Sequence, residues 1–187
     1  MYPKFHLQMA HDEWAKLVQV GDTVVDATAG NGHDARLLAT LALRPNLGRL
    51  HLFDIQEQAL QKSLQNLHDM PLEQIETHAI SHARMQEVIA PHSCRLIVFN
   101  LGYLPGADKS LTTQAETTLQ ALQASLVCLQ PKGLISITCY PGHAEGKKEA
   151  EQLLSFCEAL DPTKWSVSSH RLLNRENHPY LIFIRSQ

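Results

Sequence analysis

From residue 23 onward, short β-rich apolar runs alternate with helical stretches, and the last two runs are joined by only six residues. No other feature narrows the fold as far. The runs predict strands at 23–28 (TVVDAT), 49–55 (RLHLFDI), 74–81 (QIETHAIS), 95–101 (RLIVFNL), 133–140 (GLISITCY), 165–173 (WSVSSHRLL) and 180–186 (YLIFIRS). Helical patterns fill 33–43, 57–69, 82–90, 112–130 and 145–160, with an earlier helix near 10–19. Strand and helix in alternation imply a mainly parallel sheet covered on both faces. The link NRENHP, residues 174–179, is too short for a parallel crossover, which needs about ten residues or more. The expected fold is therefore a Rossmann-like α/β sheet of seven strands with a C-terminal antiparallel hairpin. With no repeat, low-complexity segment or linker, residues 1–187 are expected to form one domain.

Composition excludes several classes. Hydrophobic residues at 44% and charged residues at 19% are those of an ordinary globular protein rather than a disordered one. A net charge of -3 gives no global positive field for nucleic acid, although a local basic patch remains compatible with it. Cys94, Cys128, Cys139 and Cys157 are widely spaced inside apolar segments, as buried free thiols in a reducing compartment would be. The start MYPKFHLQMAHDEW lacks a signal-peptide profile, and no run of about eighteen apolar residues occurs, so a cytoplasmic protein without a membrane partner is expected. The eleven histidines scatter without an H-E-x-x-H motif, and no metal is expected.

VVDATAGNGHDARLL places a glycine turn between the first strand and its helix, the usual ligand crevice of an open α/β sheet. Gly30 and Gly32 allow close backbone approach, and the free N–H groups opening the helix at His33 favour an anionic group such as a carboxylate. GNGHDA also satisfies the dinucleotide fingerprint G-x-G-x-x-A. Asp26 and Asp34, however, would repel a pyrophosphate and suit a cofactor carrying an ammonium and a sulfonium. Asp54 ends the second strand twenty-two residues beyond Gly32, where a carboxylate accepts the ribose hydroxyls of an adenosine. Together these residues favour S-adenosylmethionine, with S-adenosylhomocysteine as product, over NAD.

The strand-loop sequence DATAGNGHD and the later NLGYLPGADKS resemble the small bacterial class I methyltransferases described as rRNA methylases. The resemblance covers nearly the whole chain from about residue 20. It implies relatives that act in tRNA modification, methylating 5-aminomethyl-2-thiouridine at the wobble position, and a homodimer. Carried over residue by residue, it assigns the cofactor loop to Asp26, Thr28, Gly30, Asn31, Gly32, His33 and Asp34, and the ribose to Asp54 and Gln56. Ser81 or His82, at the end of the third strand, is the expected adenine contact. Thr28 stands where the broad methyltransferase pattern has its first glycine.

The fourth strand should end beside the first, which brings Asn100 to the cofactor's methyl group. Its side-chain carbonyl can accept from an amine and hold the lone pair toward the sulfonium. The loop is similar to the Asn/Asp-Pro-Pro-aromatic loop of amine-directed methyltransferases, with Leu101 and Gly102 in place of the prolines and Tyr103 keeping the aromatic. Asn100 and Tyr103 are thus the expected catalytic pair. Gly102, Leu104, Pro105, Asp108 and Lys109 would shape the substrate side, with Tyr140, His143 and Asn177 from the following loops. Methyl transfer to an amine needs positioning and a neutral nitrogen more than a strong base. The expectation is an S-adenosylmethionine-dependent enzyme whose substrate is the tRNA anticodon arm. The open alternatives are rRNA, a small-molecule amine, a non-catalytic RNA-binding domain and a dehydrogenase.

Overall fold

Val24 and Val25 are both fully buried, and as neighbours on one strand they point into different cores. The computed structural model describes residues 5–101, 115–142 and 144–187. In chain order its elements are α1 (Phe5–Leu17), β1 (Thr23–Asp26), α2 (His33–Ala42), β2 (Arg49–Phe53), α3 (Glu57–Asn66), β3 (Ile75–His78), β4 (Cys94–Asn100), α4 (Ala115–Cys128), β5 (Leu129–Cys139), α5 (Ala144–Glu158), β6 (Trp165–His170) and β7 (Tyr180–Ser186). Short 3-10 helices occupy Leu72–Gln74 and His82–Glu87.

One core packs Val25, Ile97, Phe99, Ile135, Ile137 and Ile182 against Met85 and the helices α4 and α5, through Leu122 and Leu153. The other packs Val24, Leu50, Leu52, Leu96, Val98 and Phe183 against α1, α2 and α3, through Trp14, Leu38 and Leu60. The run from Leu96 to Phe99 therefore serves both faces, which is why it reads as continuously apolar rather than alternating. Each such side chain, fully buried, contributes roughly 1.5–3 kcal/mol.

The seven strands lie in the order β3-β2-β1-β4-β5-β7-β6. β1 to β5 are parallel, while β7 is antiparallel to both β5 and β6, as the short 174–179 link requires. After β3 the chain returns across the sheet to place β4 beside β1, with Asp26 level with Val98. The strand order reverses at that point, and the carboxyl ends of β1 and β4 open one crevice. Among the described residues no helix is long and apolar enough to cross a membrane. All four cysteines are free and buried, and burial pushes the Cys94 thiol up to about 12.

Several expected boundaries move. The first helix begins at Phe5 and ends at Leu17 rather than spanning 10–19. The helix expected at 82–90 is a 3-10 helix, a form suited to short pieces, and it buries Met85. The stretch QPKG at 130–133, the expected break between the helix ending at 130 and the strand starting at 133, is not a turn between elements. β5 already starts at Leu129, pairs Leu129 with Cys94, and shifts register before Leu134, with Lys132 in the left-handed region at φ 60. This is an irregular, bulged strand that sequence punctuation mimics as a turn. β2 stops at Phe53, β3 covers only Ile75–His78, and β6 ends at His170. The first residues of the helix expected at 112–130 lie outside the described residues.

Candidate active site

Asp26 sits at the end of β1 with 1% of its surface exposed, and its Oδ1 accepts from the Thr28 amide at 3.1 Å. Burial, then the negative charges of Asp34 and Asp54, push its carboxyl up to about 8, against the lowering effect of the Thr28 and Ala35 amides. A crevice that raises a carboxyl this way gains most from a cationic ligand, since a positive charge offsets each of those repulsions. The donor set therefore fits an ammonium and a sulfonium and not a pyrophosphate.

The glycine turn is fixed from α3 and from β2. Gly32 has φ 78, and a Cβ there would lie 2.7 Å from the Ser63 Cα, so only glycine allows the turn to rest on α3. The Gly30 amide donates to Asp54 Oδ2 at 3.0 Å, and its carbonyl accepts from the Ser63 hydroxyl at 3.2 Å. The Asn31 carbonyl accepts from Asn66 Nδ2 at 2.6 Å. Asp54 Oδ1 accepts from the Gln56 amide at 2.9 Å. Each Asp54 oxygen thus holds one backbone N–H and keeps a lone pair for a hydroxyl. His33, the first residue of α2, is exposed, and Gln56 is the N-cap of α3.

Across the switch point, Thr28 Oγ1 accepts from the Asn100 amide at 2.8 Å and so ties the first loop to the end of β4. This is what Thr28 does in place of a glycine. Asn100 Nδ2 donates to Asp34 Oδ2, and the other oxygen, Asp34 Oδ1, lies 2.7 Å from His11 Nε2. With the amide nitrogen held by a carboxylate, the Asn100 side chain has one orientation. Its Oδ1 is buried and has no hydrogen-bond partner among the described residues. A buried carbonyl left without a donor costs about 1–3 kcal/mol unless something supplies one.

His82 repeats the pattern on the other side. Its Nδ1 lies 3.0 Å from the Ala27 carbonyl, which makes Nδ1 the donor and leaves Nε2 as a buried acceptor without a partner among the described residues. Desolvation lowers its pKa, so the ring is neutral. Ser81 instead caps the 3-10 helix, its hydroxyl accepting from the Ala83 amide at 3.3 Å. Of the two expected adenine contacts, His82 is the one left free to face a ligand.

Tyr140 follows β5 and stands edge-on to His6, with ring centres 5.8 Å apart. Burial and then the Asp34 charge push its hydroxyl up to about 12, keeping it a donor. Asn177 is exposed and left-handed at φ 54, and its carbonyl oxygen is 3.8 Å from where a Gly142 Cβ would stand, so the loops after β5 and before β7 adjoin. Gly102, Tyr103, Leu104, Pro105, Asp108, Lys109 and His143 lie outside the described residues. His11 is the residue that the sequence did not single out. Its only signal is its place beside Ala10 and Trp14, the buried stripe of α1.

Residues 50–186 match the family model described as "Putative rRNA methylase". A chloroplastic tRNA (mnm(5)s(2)U34)-methyltransferase of Arabidopsis thaliana is 36% identical over 95% of this chain and 68% of its own length. A crystal structure from Clostridium thermocellum, described in the same terms as the family, superposes with a TM-score of 0.91 at 36% identity over 97% of both chains. One from Streptococcus mutans, "a putative methyltransferase" in complex with S-adenosylhomocysteine, gives 0.84 at 30% identity, again over 97% of both chains.

Proposed function

The chain belongs to the rRNA methylase family and is an S-adenosylmethionine-dependent methyltransferase, and on that premise we propose that it methylates an amine, the 5-aminomethyl group of 5-aminomethyl-2-thiouridine at the tRNA wobble position. The observation that carries the amine is Asn100 Oδ1, buried and without a partner among the described residues at the carboxyl end of β4. A neutral amine donates an N–H to that oxygen and keeps its lone pair for the methyl carbon. The tRNA substrate is supported by the name of the Arabidopsis thaliana relative, which matches 95% of this chain.

The cofactor, when bound, supplies an electrophilic methyl on a sulfonium, which the amine takes in a direct displacement that leaves a thioether. Asp26 and the turn at Gly30–Gly32 would hold its amino-acid end, Asp54 its ribose, and His82 Nε2 an adenine N–H. Asp34 orients Asn100 by accepting from its Nδ2, so that Oδ1 rather than the amide nitrogen meets the amine. As the new N–C bond forms, the nitrogen releases a proton. Asp34 lies next to that nitrogen's anchor, and His11, with a third of its side chain exposed, connects the carboxylate to solvent. Orientation of the nucleophile, worth several orders of magnitude in rate, is what these residues contribute.

Nucleoside mass spectrometry of tRNA from a deletion strain tests the substrate. Accumulation of the unmethylated 5-aminomethyl nucleoside is expected. Unchanged tRNA with a methyl group missing from rRNA would replace this substrate with the other polymer named by the family.

A further inference from the structure

At the opposite side of β2 from the crevice, three ligand-bearing side chains converge on one face of the sheet. Parallel pairing sets His51 level with Glu76 and Phe53 level with His78, so residues 51, 76 and 78 share that face. His51 Nδ1 is 3.1 Å from His78 Nε2 and 3.7 Å from Glu76 Oε2, and the three ligand atoms all lie within 4.8 Å of one another. Ligands bound at about 2.0–2.1 Å around a tetrahedral ion stand roughly 3.4 Å apart, between the two shorter separations seen here. The rings are already oriented. His78 stacks on Phe53 with centres 4.6 Å apart and lies near-parallel to His51 at 19°. Glu76 Oε1 accepts from Arg49 Nη1 at 3.0 Å, which leaves Oε2 turned to the histidines.

Protons alone satisfy this cluster poorly. One N–H between the rings serves two of the three facing atoms and leaves Glu76 Oε2 beyond hydrogen-bond length at 3.7 Å. A divalent ion would serve all three at once. His51 is buried, whereas Glu76 and His78 are partly exposed, so a fourth position faces solvent. Arg49 is the neighbouring positive charge, and it lowers the affinity without blocking the ligand atoms.

We propose that His51, Glu76 and His78 form a binding site for a divalent transition-metal ion of zinc type, which braces the outermost strand β3 against β2. The ligand set of two imidazoles and a carboxylate selects zinc or cobalt over magnesium or calcium, which prefer oxygen. The brace would lie just before Asp54 and shortly before His82, and hold both strand ends in place.

The test uses the full chain with zinc or cobalt chloride as the probe. Calorimetry should show one tight equivalent, cobalt should give the visible absorption of a tetrahedral site, and the melting temperature should rise by about 3 °C. Glu76→Gln and His78→Ala should each abolish all three signals while circular dichroism shows the fold retained. His170→Ala, on β6 at the far edge of the sheet, should keep them. No binding by the native chain, or binding that survives both Glu76→Gln and His78→Ala, would overturn the proposal.

Discussion

Asp26 is a residue whose chemistry is strongly displaced from its ordinary range. Its folded-state carboxyl, near 8, lies far above the value of an unfolded aspartate, so near neutral pH it is mostly protonated. A ligand ammonium placed against it favours the carboxylate and lowers that pKa, so binding should release a proton. Calorimetry of S-adenosylhomocysteine binding at pH 7 in buffers of different ionisation enthalpy should therefore show a buffer-dependent heat corresponding to release, absent in Asp26→Asn. Heat independent of buffer would mean that Asp26 is ionised before the ligand arrives. The sign also bears on stability: a raised acid favours the fold at low pH, and that contribution is lost as pH rises from about 4 toward about 8. At this scale the sequence was informative. Asp26, Gly30, Gly32, Asp54 and Asn100 stand at strand ends or in the turn beside them, where spacing along the chain is spacing in the crevice. Which end of the Asn100 amide is free was not legible, because it depends on Asp34 one helix away.

The element that changes the picture is α1. It precedes the βα repeat and carries no motif, yet it brings His11 to Asp34. Twenty-three residues separate the two, and only the packing of Ala10 and Trp14 into the core joins them. No periodicity in the sequence reports such a contact. If His11 holds Asp34 for Asn100, His11→Ala should lower kcat about tenfold with S-adenosylhomocysteine affinity unchanged. His11→Gln, which keeps an N–H donor, should recover most of the rate. Equal losses in both variants would point to a proton-accepting role for the ring, and a loss of cofactor affinity would point to disruption of the α2 turn. Elsewhere the misreadings share one cause. QPKG and residues 82–90 carry the local chemistry of a turn and of a helix, but the sheet draws the first into β5, and the short path from β3 to β4 tightens the second into a 3-10 helix.

The described residues build one seven-stranded sheet whose order reverses between β1 and β4. The alternation of runs and the six-residue final link made a mainly parallel sheet with an antiparallel end legible, whereas the place of the fourth strand beside the first was expected from the general pattern of open α/β sheets. The reversal sets Asp26, Asp34 and Asn100 at one edge, with the proposed partners of a cationic ligand on the β1 side and a carbonyl unpartnered among the described residues on the β4 side. For the proposed tRNA substrate an overall charge of -3 would give little long-range pull, so recognition would rest on local contacts and catalysis on alignment in the crevice. The single-turnover rate of methyl transfer to tRNA bearing 5-aminomethyl-2-thiouridine, measured for Asn100→Ala beside the native enzyme under saturating S-adenosylmethionine, tests this most directly. The account predicts a fall of about 100-fold, near 2.7 kcal/mol, with S-adenosylhomocysteine affinity essentially unchanged. A variant that transfers methyl at the native rate would contradict it.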